Sequence, residues 1–179
     1  MTLRRAVFLD RDGVVSRTEV RAGKPYAPRR LQDFFVTSGA RNAIAALRGA
    51  GYVIVIVTNQ PDIGNGLVRP AVVEAMHAKL KKRVVVDDIR VCPHRQDEGC
   101  ACRKPEPGML IAAARRWNIA LGRSYMIGDR AGDVVAGNAA GCYTLLINRR
   151  YSELRRAEPG RIVRSLSAGV RFILSRCKS

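Results

Sequence analysis

The stretch AVFLDRDG, residues 6–13, joins a short apolar run to a pair of carboxylates. Four apolar residues bounded by polar ones are typical of a strand buried in a parallel sheet. The run YVIVIV at 52–57 has the same character and leads into Thr58, and SYMI at 124–127 leads through a glycine into Asp129. Each predicted strand is therefore followed by a side chain that can bind a ligand or react with one.

Apolar residues recur at helical spacing between these strands, which predicts an α/β fold. Helices are predicted over 39–51, 69–82, 108–117 and 133–140, and further strands over 84–91 and 142–147. A basic helix over about 160–175 is predicted to follow, with its apolar side on the sheet. We expect a doubly wound parallel sheet, with residues 1–179 forming a single domain. Ligands bind beyond the carboxyl ends of strands in such sheets, so Asp10, Thr58 and Asp129 should face one crevice.

The composition is that of a globular protein with an unusual charge. Of 179 residues 47% are hydrophobic, and 32 lysines and arginines against 15 acidic residues give a net charge of +17. No apolar run approaches the roughly 18 residues that span a bilayer, and the apolar run before Asp10 is too short for a signal peptide. We therefore expect a cytoplasmic protein without membrane insertion. Separately, we expect it to be a monomer. The charge attracts nucleic acid, anionic membranes and phosphorylated metabolites alike, so it selects no partner.

Four polar elements carry the candidate chemistry. Asp10 and Asp12 can converge on one Mg²⁺ through a side chain and a backbone carbonyl, because this cation prefers oxygen ligands. The hydroxyl and amides of residues 58–60 can hold phosphoryl oxygens, and the ammonium of Lys104 can neutralise phosphoryl charge. Asp129 would complete the metal site. Each element alone can be read as a turn or a helix cap, but their order at successive strand ends is specific.

A cluster of thiol and imidazole ligands lies in the loop 92–102. Cys92, His94, Cys100 and Cys102 form a C-x-H-x₅-C-x-C pattern that fits a closed tetrahedral Zn²⁺ site. Chance clustering and a disulfide within the loop are the alternatives, although five cysteines exclude complete pairing. Because protein ligands would fill all four positions, such a zinc ion would hold the loop and would not activate water.

In combination, the four elements resemble the motifs of the haloacid dehalogenase (HAD) superfamily of phosphotransferases, at Asp10 with Asp12, Thr58, Lys104 and Asp129. The resemblance implies that Asp10 attacks phosphorus and forms an aspartyl phosphate, while Asp12 serves as general acid and base. It also implies that Mg²⁺ is held by the Asp10 side chain, the Asp12 carbonyl and Asp129. Thr58 and Lys104 are then expected to bind the equatorial phosphoryl oxygens.

The cysteine loop runs directly into CRKPEPGM at 102–109. This arrangement resembles one branch of the superfamily, the D-glycero-D-manno-heptose 1,7-bisphosphate phosphatases and the related histidinol-phosphate phosphatases. The resemblance implies a core without a separate cap domain and a small phosphorylated sugar or polyol as the substrate. It further implies substrate contacts from Asn59, Gln60, Arg103 and Arg130, which lie at matching positions.

The chain departs from this branch beside the second motif. The branch usually reads TNQSGIARG, whereas residues 58–66 here read TNQPDIGNG, so that Pro61, Asp62 and Asn65 replace Ser, Gly and Arg. Ser16 stands where the branch commonly has asparagine. These residues flank the substrate and not the reacting phosphorus, so the departures bear on substrate choice and leave the chemistry unchanged.

Three alternative functions stay open from the sequence. The first is a phosphatase of histidinol phosphate or another polyol phosphate, and the second is a polynucleotide-end phosphatase that uses the net charge of +17 to hold nucleic acid. The third is a non-catalytic protein that binds a phosphorylated ligand. His77 has no evident partner and is expected at the surface or its boundary, and Cys177 in the tail is expected to be a free thiol.

Overall fold

The structure is a computed structural model that describes residues 2–152 and 157–176, and Cys177 lies outside them. The strands in chain order are β1 (Ala6–Leu9), β2 (Glu19–Arg21), β3 (Lys24–Tyr26), β4 (Val53–Asn59), β5 (Asp88–Cys92), β6 (Tyr125–Gly128), β7 (Tyr143–Ile147) and β8 (Arg161–Val163). The helices are α1 (Ala40–Gly49), α2 (Pro61–Gly64), α3 (Pro70–Lys81), α4 (Gly108–Trp117), α5 (Ala131–Ala139) and α6 (Leu166–Ser175).

Six strands form one parallel sheet in the order β5-β4-β1-β6-β7-β8, while β2 and β3 form a separate antiparallel hairpin. The central strand β1 pairs with β4 and β6, and Leu9 lies level with Ile56 and Ile127. Parallel strands in this register bring their carboxyl ends to one edge of the sheet. The side chains that follow β1, β4 and β6 therefore meet there, and the predicted α/β fold is confirmed.

Helices cover both faces of the sheet, because alternate residues of a strand point to opposite sides. Val7 and Leu9 of β1 belong to the apolar layer shared with α1 and α6, whereas Ala6 and Phe8 belong to the layer shared with α4 and α5. All four of these β1 residues are fully buried. Among the described residues, no helix is both long and apolar enough to cross a membrane.

The segment 160–175 differs from its prediction, because it does not form one helix. Its first residues form β8, which pairs in parallel with β7 at the edge of the sheet. The helix α6 begins only after Ser165, whose hydroxyl accepts a backbone N–H of the first turn at 3.2 Å. The open edge of β7 offers backbone hydrogen bonds that helical periodicity cannot reveal, and these bonds decide the conformation of residues 161–163.

Two further elements differ from the sequence prediction. The strand predicted over 84–91 is confined to β5, because Asp87 turns its carboxylate onto Arg48 at 2.7 Å and onto the N–H of Ile54 at 2.8 Å. The hairpin of β2 and β3 was not predicted. Its residues are exposed or only partly buried, so the hairpin lacks the buried alternation that marks a strand in a sequence.

Candidate active site

A buried lysine joins three elements at the carboxyl edge of the sheet. Lys104 Nζ lies 2.6 Å from Asp10 Oδ1, 2.6 Å from Asp133 Oδ1 and 2.7 Å from the carbonyl oxygen of Val57. Asp10 follows β1, Val57 lies in β4 and Asp133 lies in the first turn of α5. The Lys104 side chain is only 4% exposed, so its ammonium fixes the position of Asp10 with little competition from water.

The electrostatics of the site are dominated by an excess of buried negative charge. Burial raises the pKa of Asp10 to about 7, with Lys104 opposing the shift and Asp133 adding to it. Burial likewise raises the pKa of Asp129 well above its usual range, with further contributions from Asp10 and Asp133. Burial would lower the pKa of Lys104, but the adjacent carboxylates outweigh it and raise this pKa. Three carboxylates thus crowd around one ammonium, and a bound cation would relieve their repulsion.

The residues of this cluster fit a magnesium site. Asp10, Asp129 and Asp133 each offer an oxygen within 4.8 Å of the others. Asp129 Oδ1 is buried and accepts no hydrogen bond from the described residues, which is the mark of an acceptor that needs a cation or water. Asp129 Oδ2 accepts the hydroxyl of Tyr151 at 2.6 Å. A donor set made only of oxygens suits Mg²⁺.

Asp133 is less suited to ligate a metal than its two neighbours. Its Oδ1 accepts Lys104, and its Oδ2 accepts the backbone N–H groups of Asp129 and Arg130 at 3.1 and 3.0 Å. Both oxygens are therefore engaged in holding the start of α5 against the end of β6. Asp133 therefore orients its neighbours and leaves neither oxygen free for a metal ion.

The predicted phosphate-binding residues of β4 form a network with the first motif. Gln60 Nε2 donates to Thr58 Oγ1 and to Asp12 Oδ2, both at 2.8 Å. Asn59 holds the backbone of Lys104, donating to its carbonyl at 2.9 Å and accepting its N–H at 3.1 Å. Asn59 and Gln60 therefore position Lys104 and Asp12 in addition to lining the cleft.

Asp12 is held by donors from three directions. Arg11 Nη2 donates to Asp12 Oδ2 at 2.9 Å, and Ser16 Oγ donates to Asp12 Oδ1 at 2.9 Å. Together with Gln60, these donors hold the Asp12 carboxylate in one orientation. The Asp12 side chain remains 12% exposed. The hydroxyl of Ser16 thus reaches the Asp12 carboxylate from the position where the related branch usually has asparagine.

A cleft of about 910 Å³ opens in front of these side chains. Asp10, Asp12 and Thr58 line it together with Arg103, Lys104 and Arg130, so the structure brings together the predicted catalytic and phosphate-binding residues. Arg103 Nη1 is buried and has no acceptor among the described residues. A guanidinium with such an unsatisfied donor is suited to bind a phosphate.

The four predicted zinc ligands form a tight cluster beside this cleft. The Sγ atom of Cys100 lies 3.5 Å from those of Cys92 and Cys102, and His94 Nδ1 lies 3.2 Å from Cys102 Sγ and 3.6 Å from Cys92 Sγ. A disulfide requires about 2.05 Å between sulfurs, so the cluster contains none. The edges of a tetrahedron around zinc with bonds of about 2.3 Å measure about 3.8 Å, and the cluster matches that size.

The thiols of the cluster differ in acidity. Burial raises the pKa of Cys92 to about 12. Burial acts in the same direction on Cys100, but hydrogen bonds from Cys92 and Cys102 outweigh it and lower the pKa of Cys100 to about 7. The cluster can therefore hold a thiolate near neutral pH, and the thiolate is the form that binds metal.

The cysteine loop directly contacts segments that line the cleft. Cys92 ends β5 level with Asn59, and its carbonyl accepts the N–H of Gln60 at 2.8 Å. At the other end of the loop, Ala101 accepts the N–H of Gly108 at 3.1 Å, and Lys104 follows Cys102 by two residues. An ion at the cluster would therefore stabilise the segment that carries Arg103 and Lys104 into the cleft.

The departures from the usual motif make contacts around the rim of the cleft. Asp62 accepts Arg29 Nε at 2.7 Å, which joins α2 to the chain that follows the hairpin. Asn65 donates to Gln96 of the cysteine loop at 3.2 Å. Asp62 and Asn65 therefore tie three cleft-lining segments together.

Several residues of the site were missed by the sequence reading. Tyr151 contacts Asp129, although nothing in its local sequence distinguishes it from a surface tyrosine. Arg149 donates to the carbonyl of Gly13 at 2.7 Å and so holds the first motif from the far side. His77 is partly buried, which agrees with its expected place at the boundary of the surface, but it has a partner that the sequence did not reveal, because its Nε2 contacts Arg11 Nη1 at 2.9 Å. Such contacts join residues far apart in the chain and leave no local signal.

Comparison with known proteins agrees with this geometry. A family model described as HAD-hydrolase-like matches residues 101–168. The D-glycero-β-D-manno-heptose-1,7-bisphosphate 7-phosphatase of Pseudomonas putida is 38% identical over 152 residues, which cover 82% of this chain and 84% of that protein. The protein of the same name from Bordetella bronchiseptica is 38% identical over 146 residues, which cover 79% of each.

Solved structures give the same result. The crystal structure of D,D-heptose 1,7-bisphosphate phosphatase from B. bronchiseptica, complexed with magnesium and phosphate, has a TM-score of 0.83 and 32% identity, with coverage of 96% of this chain and 99% of that chain. The corresponding enzyme of Burkholderia thailandensis has a TM-score of 0.68 and 27% identity, with coverage of 96% and 99%. The chain is therefore a phosphatase of the HAD superfamily and belongs to the family of the D-glycero-β-D-manno-heptose-1,7-bisphosphate 7-phosphatases.

Proposed function

We propose that this enzyme removes the 7-phosphate of D-glycero-D-manno-heptose 1,7-bisphosphate through an aspartyl phosphate on Asp10. The observation that carries the proposal is the buried pairing of Lys104 with Asp10 inside a cleft lined by further cations. A carboxylate oriented by an ammonium is suited to attack phosphorus, and the nearby cations are suited to an anionic substrate. The name carried by the relatives supports the choice of sugar.

In the first half of the reaction, a carboxylate oxygen of Asp10 bonds to phosphorus as the bond from phosphorus to the sugar oxygen breaks. Asp12 donates a proton to the departing oxygen, so the sugar leaves as a neutral alcohol. The Lys104 ammonium, 2.6 Å from Asp10 Oδ1, offsets the charge on the phosphoryl oxygens. Thr58 Oγ1 accepts a hydrogen bond from Gln60, which leaves its own hydrogen to donate to the phosphoryl group.

In the second half, water attacks the phosphorus of the aspartyl phosphate. Asp12, now ionised, accepts a proton from this water as the bond between phosphorus and the Asp10 oxygen breaks. Inorganic phosphate leaves and the Asp10 carboxylate is restored. Asp12 thus gives one proton and takes one back in each turnover, so the enzyme returns to its starting state.

The oxygens of Asp10 and Asp129, with the backbone carbonyl of Asp12, would hold Mg²⁺ at this site. When bound, Mg²⁺ supplies positive charge that offsets the repulsion between the anionic nucleophile and the anionic phosphate. The unpartnered Asp129 Oδ1 supports its place in this ligand set. Asp133 keeps Lys104 and the start of α5 in place instead.

A substrate with two phosphates suits the charge distribution of the cleft. Arg103, Arg130 and Lys24 line the cleft in addition to Lys104 at the reacting centre. The buried Arg103 Nη1, without an acceptor among the described residues, is a donor available to a phosphate oxygen. We assign the second phosphate of the substrate to these additional cations, because charge-assisted bonds to guanidinium groups are strong and directional.

The first prediction is a substrate preference. Purified enzyme with Mg²⁺ is assayed for phosphate release from both anomers of heptose 1,7-bisphosphate, from histidinol phosphate and from 3′-phosphorylated DNA. We expect kcat/KM for one heptose bisphosphate anomer to exceed that for histidinol phosphate by at least about 100-fold, which corresponds to about 2.7 kcal/mol of transition-state binding. Removal of Mg²⁺ by a chelator should abolish turnover.

Each other outcome has a definite meaning. Release of phosphate from DNA ends with steep salt dependence, and poor activity on the sugars, would favour the polynucleotide-end alternative. Preference for histidinol phosphate would move the enzyme to the neighbouring branch. Lack of turnover of every compound would indicate that the departures at Pro61, Asp62 and Asn65 direct the cleft to another substrate.

We also propose that Cys92, His94, Cys100 and Cys102 bind one structural Zn²⁺. The tetrahedral spacing of the four ligand atoms supports this proposal. The site is closed by protein ligands, so its contribution is to the shape of the loop and not to the activation of water.

The second prediction concerns this zinc ion. Elemental analysis should find one zinc per chain, and Cys102→Ser should lose it together with part of the thermal stability and activity, because Lys104 follows two residues later. Cys142→Ala is the matched control, since this buried cysteine lies outside the cluster and its loss should leave the zinc content unchanged. Wild-type protein without zinc after careful purification would contradict the assignment.

The single-domain organisation of residues 1–179, the monomeric state and the cytoplasmic location stay predictions.

A further inference from the structure

A fully buried arginine lies behind the general acid. Arg11 is 0% exposed, and its Nε and Nη2 groups both donate to the Asp12 carboxylate, at 2.9–3.2 Å. The guanidinium also lies over the ring of Phe34, 5.4 Å from the ring centroid. A paired contact of this kind fixes the plane of a carboxylate as well as its position. The direction in which Asp12 faces the cleft is therefore set by the position of Arg11.

The remaining terminal nitrogen of Arg11 is held by a histidine from another element. His77 lies in α3, and its Nε2 is 2.9 Å from Arg11 Nη1. A guanidinium nitrogen can only donate, so His77 must accept with an unprotonated Nε2 and carry its hydrogen on Nδ1. Burial and the Arg11 charge lower the pKa of His77 to about 4, which keeps the ring in this neutral form.

Loss of the acceptor at His77 would leave a donor of a buried guanidinium unsatisfied. Such a group costs about 1–3 kcal/mol and tends to shift toward another acceptor. Arg11 has little room to shift without changing its paired contact with Asp12, because its side chain is fully buried and its guanidinium lies over the ring of Phe34. The orientation of Asp12 thus depends on a residue that touches neither the substrate nor the reacting atoms.

We propose that His77 is a positioning residue for the general acid–base Asp12, acting through Arg11. The proposal rests on the function proposed above, in which Asp12 protonates the oxygen of the departing sugar. Its consequence is specific, because misplacement of an acid slows the departure of a poor leaving group and hardly affects a good one. A residue that only stabilised the fold would affect both leaving groups alike.

The test compares kcat/KM on two esters for His77→Leu, which has similar bulk and no acceptor, and His77→Gln, which offers an acceptor oxygen at similar reach. One ester is the sugar phosphate that the enzyme hydrolyses best, and the other is p-nitrophenyl phosphate, whose leaving group needs no proton. For His77→Leu we expect a loss of about 10- to 100-fold on the sugar phosphate, part of the range for general acid catalysis, and at most about 3-fold on the aryl ester. His77→Gln should recover most of the loss.

The choice of kcat/KM confines the readout to the steps through departure of the alcohol and excludes hydrolysis of the aspartyl phosphate. Equal losses on both esters, equal behaviour of His77→Leu and His77→Gln, or no loss on either ester would overturn the role of His77. If His77→Leu does not fold by circular dichroism, His77→Met is judged by the same comparison.

Failure of the underlying function is distinguishable from failure of this inference. Asp12→Asn should show the same dependence on the leaving group, only larger. If Asp12→Asn lowers kcat/KM equally for both esters, the acid–base role of Asp12 is wrong. If the wild type hydrolyses another alkyl phosphate in place of the heptose bisphosphate, only the proposed substrate is wrong, and the His77 comparison proceeds on that ester.

Discussion

Replacement of Asp10 by asparagine should abolish phosphate release and leave the fold intact. The amide cannot bond to phosphorus as the carboxylate does, and loss of a nucleophile is expected to lower kcat by at least about 10⁴-fold. The structure should tolerate the change, because Asp10, Asp129 and Asp133 crowd around one ammonium. Removal of one negative charge from this cluster should leave the thermal midpoint unchanged or raise it. Phosphate release and thermal unfolding are measured on the same preparation.

Asp33→Asn is the matched control for this variant. Asp33 allows the same chemical change at an exposed position, where it pairs with Arg30 at 2.7 Å, and it does not line the cleft. Its activity should equal that of the wild type. If Asp10→Asn kept more than a small fraction of wild-type turnover while fully folded, phosphoryl transfer to Asp10 could not be the mechanism.

Lys104→Met should be the most damaging single change to stability in the active site. The ammonium pairs with two buried carboxylates and a backbone carbonyl, and methionine can satisfy none of them. Loss of one partner of a buried ion pair costs about 3–5 kcal/mol, because the other charge is left unpaired. The variant should also lose about 10²–10³-fold in kcat even where it is folded, since its phosphoryl contact is absent.

Lys82→Met makes the same change at the exposed end of α3 and should alter neither quantity. Urea unfolding measures the free energy difference, and kcat is compared at a temperature well below the midpoint of each variant. A Lys104→Met variant with wild-type stability would show that the carboxylates find other partners. Full activity in a folded variant would remove Lys104 from the proposed mechanism.

The position of the reacting residues was predictable from the chain alone. Asp10 and Thr58 follow an apolar run directly, Asp129 follows one after a single glycine, and neighbouring parallel strands end at one edge of the sheet. No knowledge of side-chain packing is needed for that inference, because it depends only on the direction of the strands. The zinc ligands were predictable for a similar reason: they lie within eleven residues, so the loop itself brings them together.

The C-terminal segment shows where local pattern misleads. Arg161–Val163 lies within a helical pattern of apolar residues, yet it pairs with Leu145–Ile147 as a sixth strand. Residues 161–163 form a strand because they can form backbone hydrogen bonds with β7, which lies about fifteen residues earlier in the chain. A helical periodicity reports which residues share a face and carries no information about an open sheet edge.

The contacts that orient the catalytic groups depend on packing between distant segments. Arg11 and His77 are separated by 66 residues, and Asp10 and Lys104 by 94. The packing of α3 and of the cysteine loop against the sheet determines which donors and acceptors pair. Hydrogen bonds form only within a narrow range of distances, so small changes in this packing would change the partners. The local sequence determines the direction of the strands and the spacing of the ligands, so the fold and the chemistry could be predicted from it. The orientation of Asp12 by Arg11 and His77 arises from contacts between elements, and it exists only once the chain is folded.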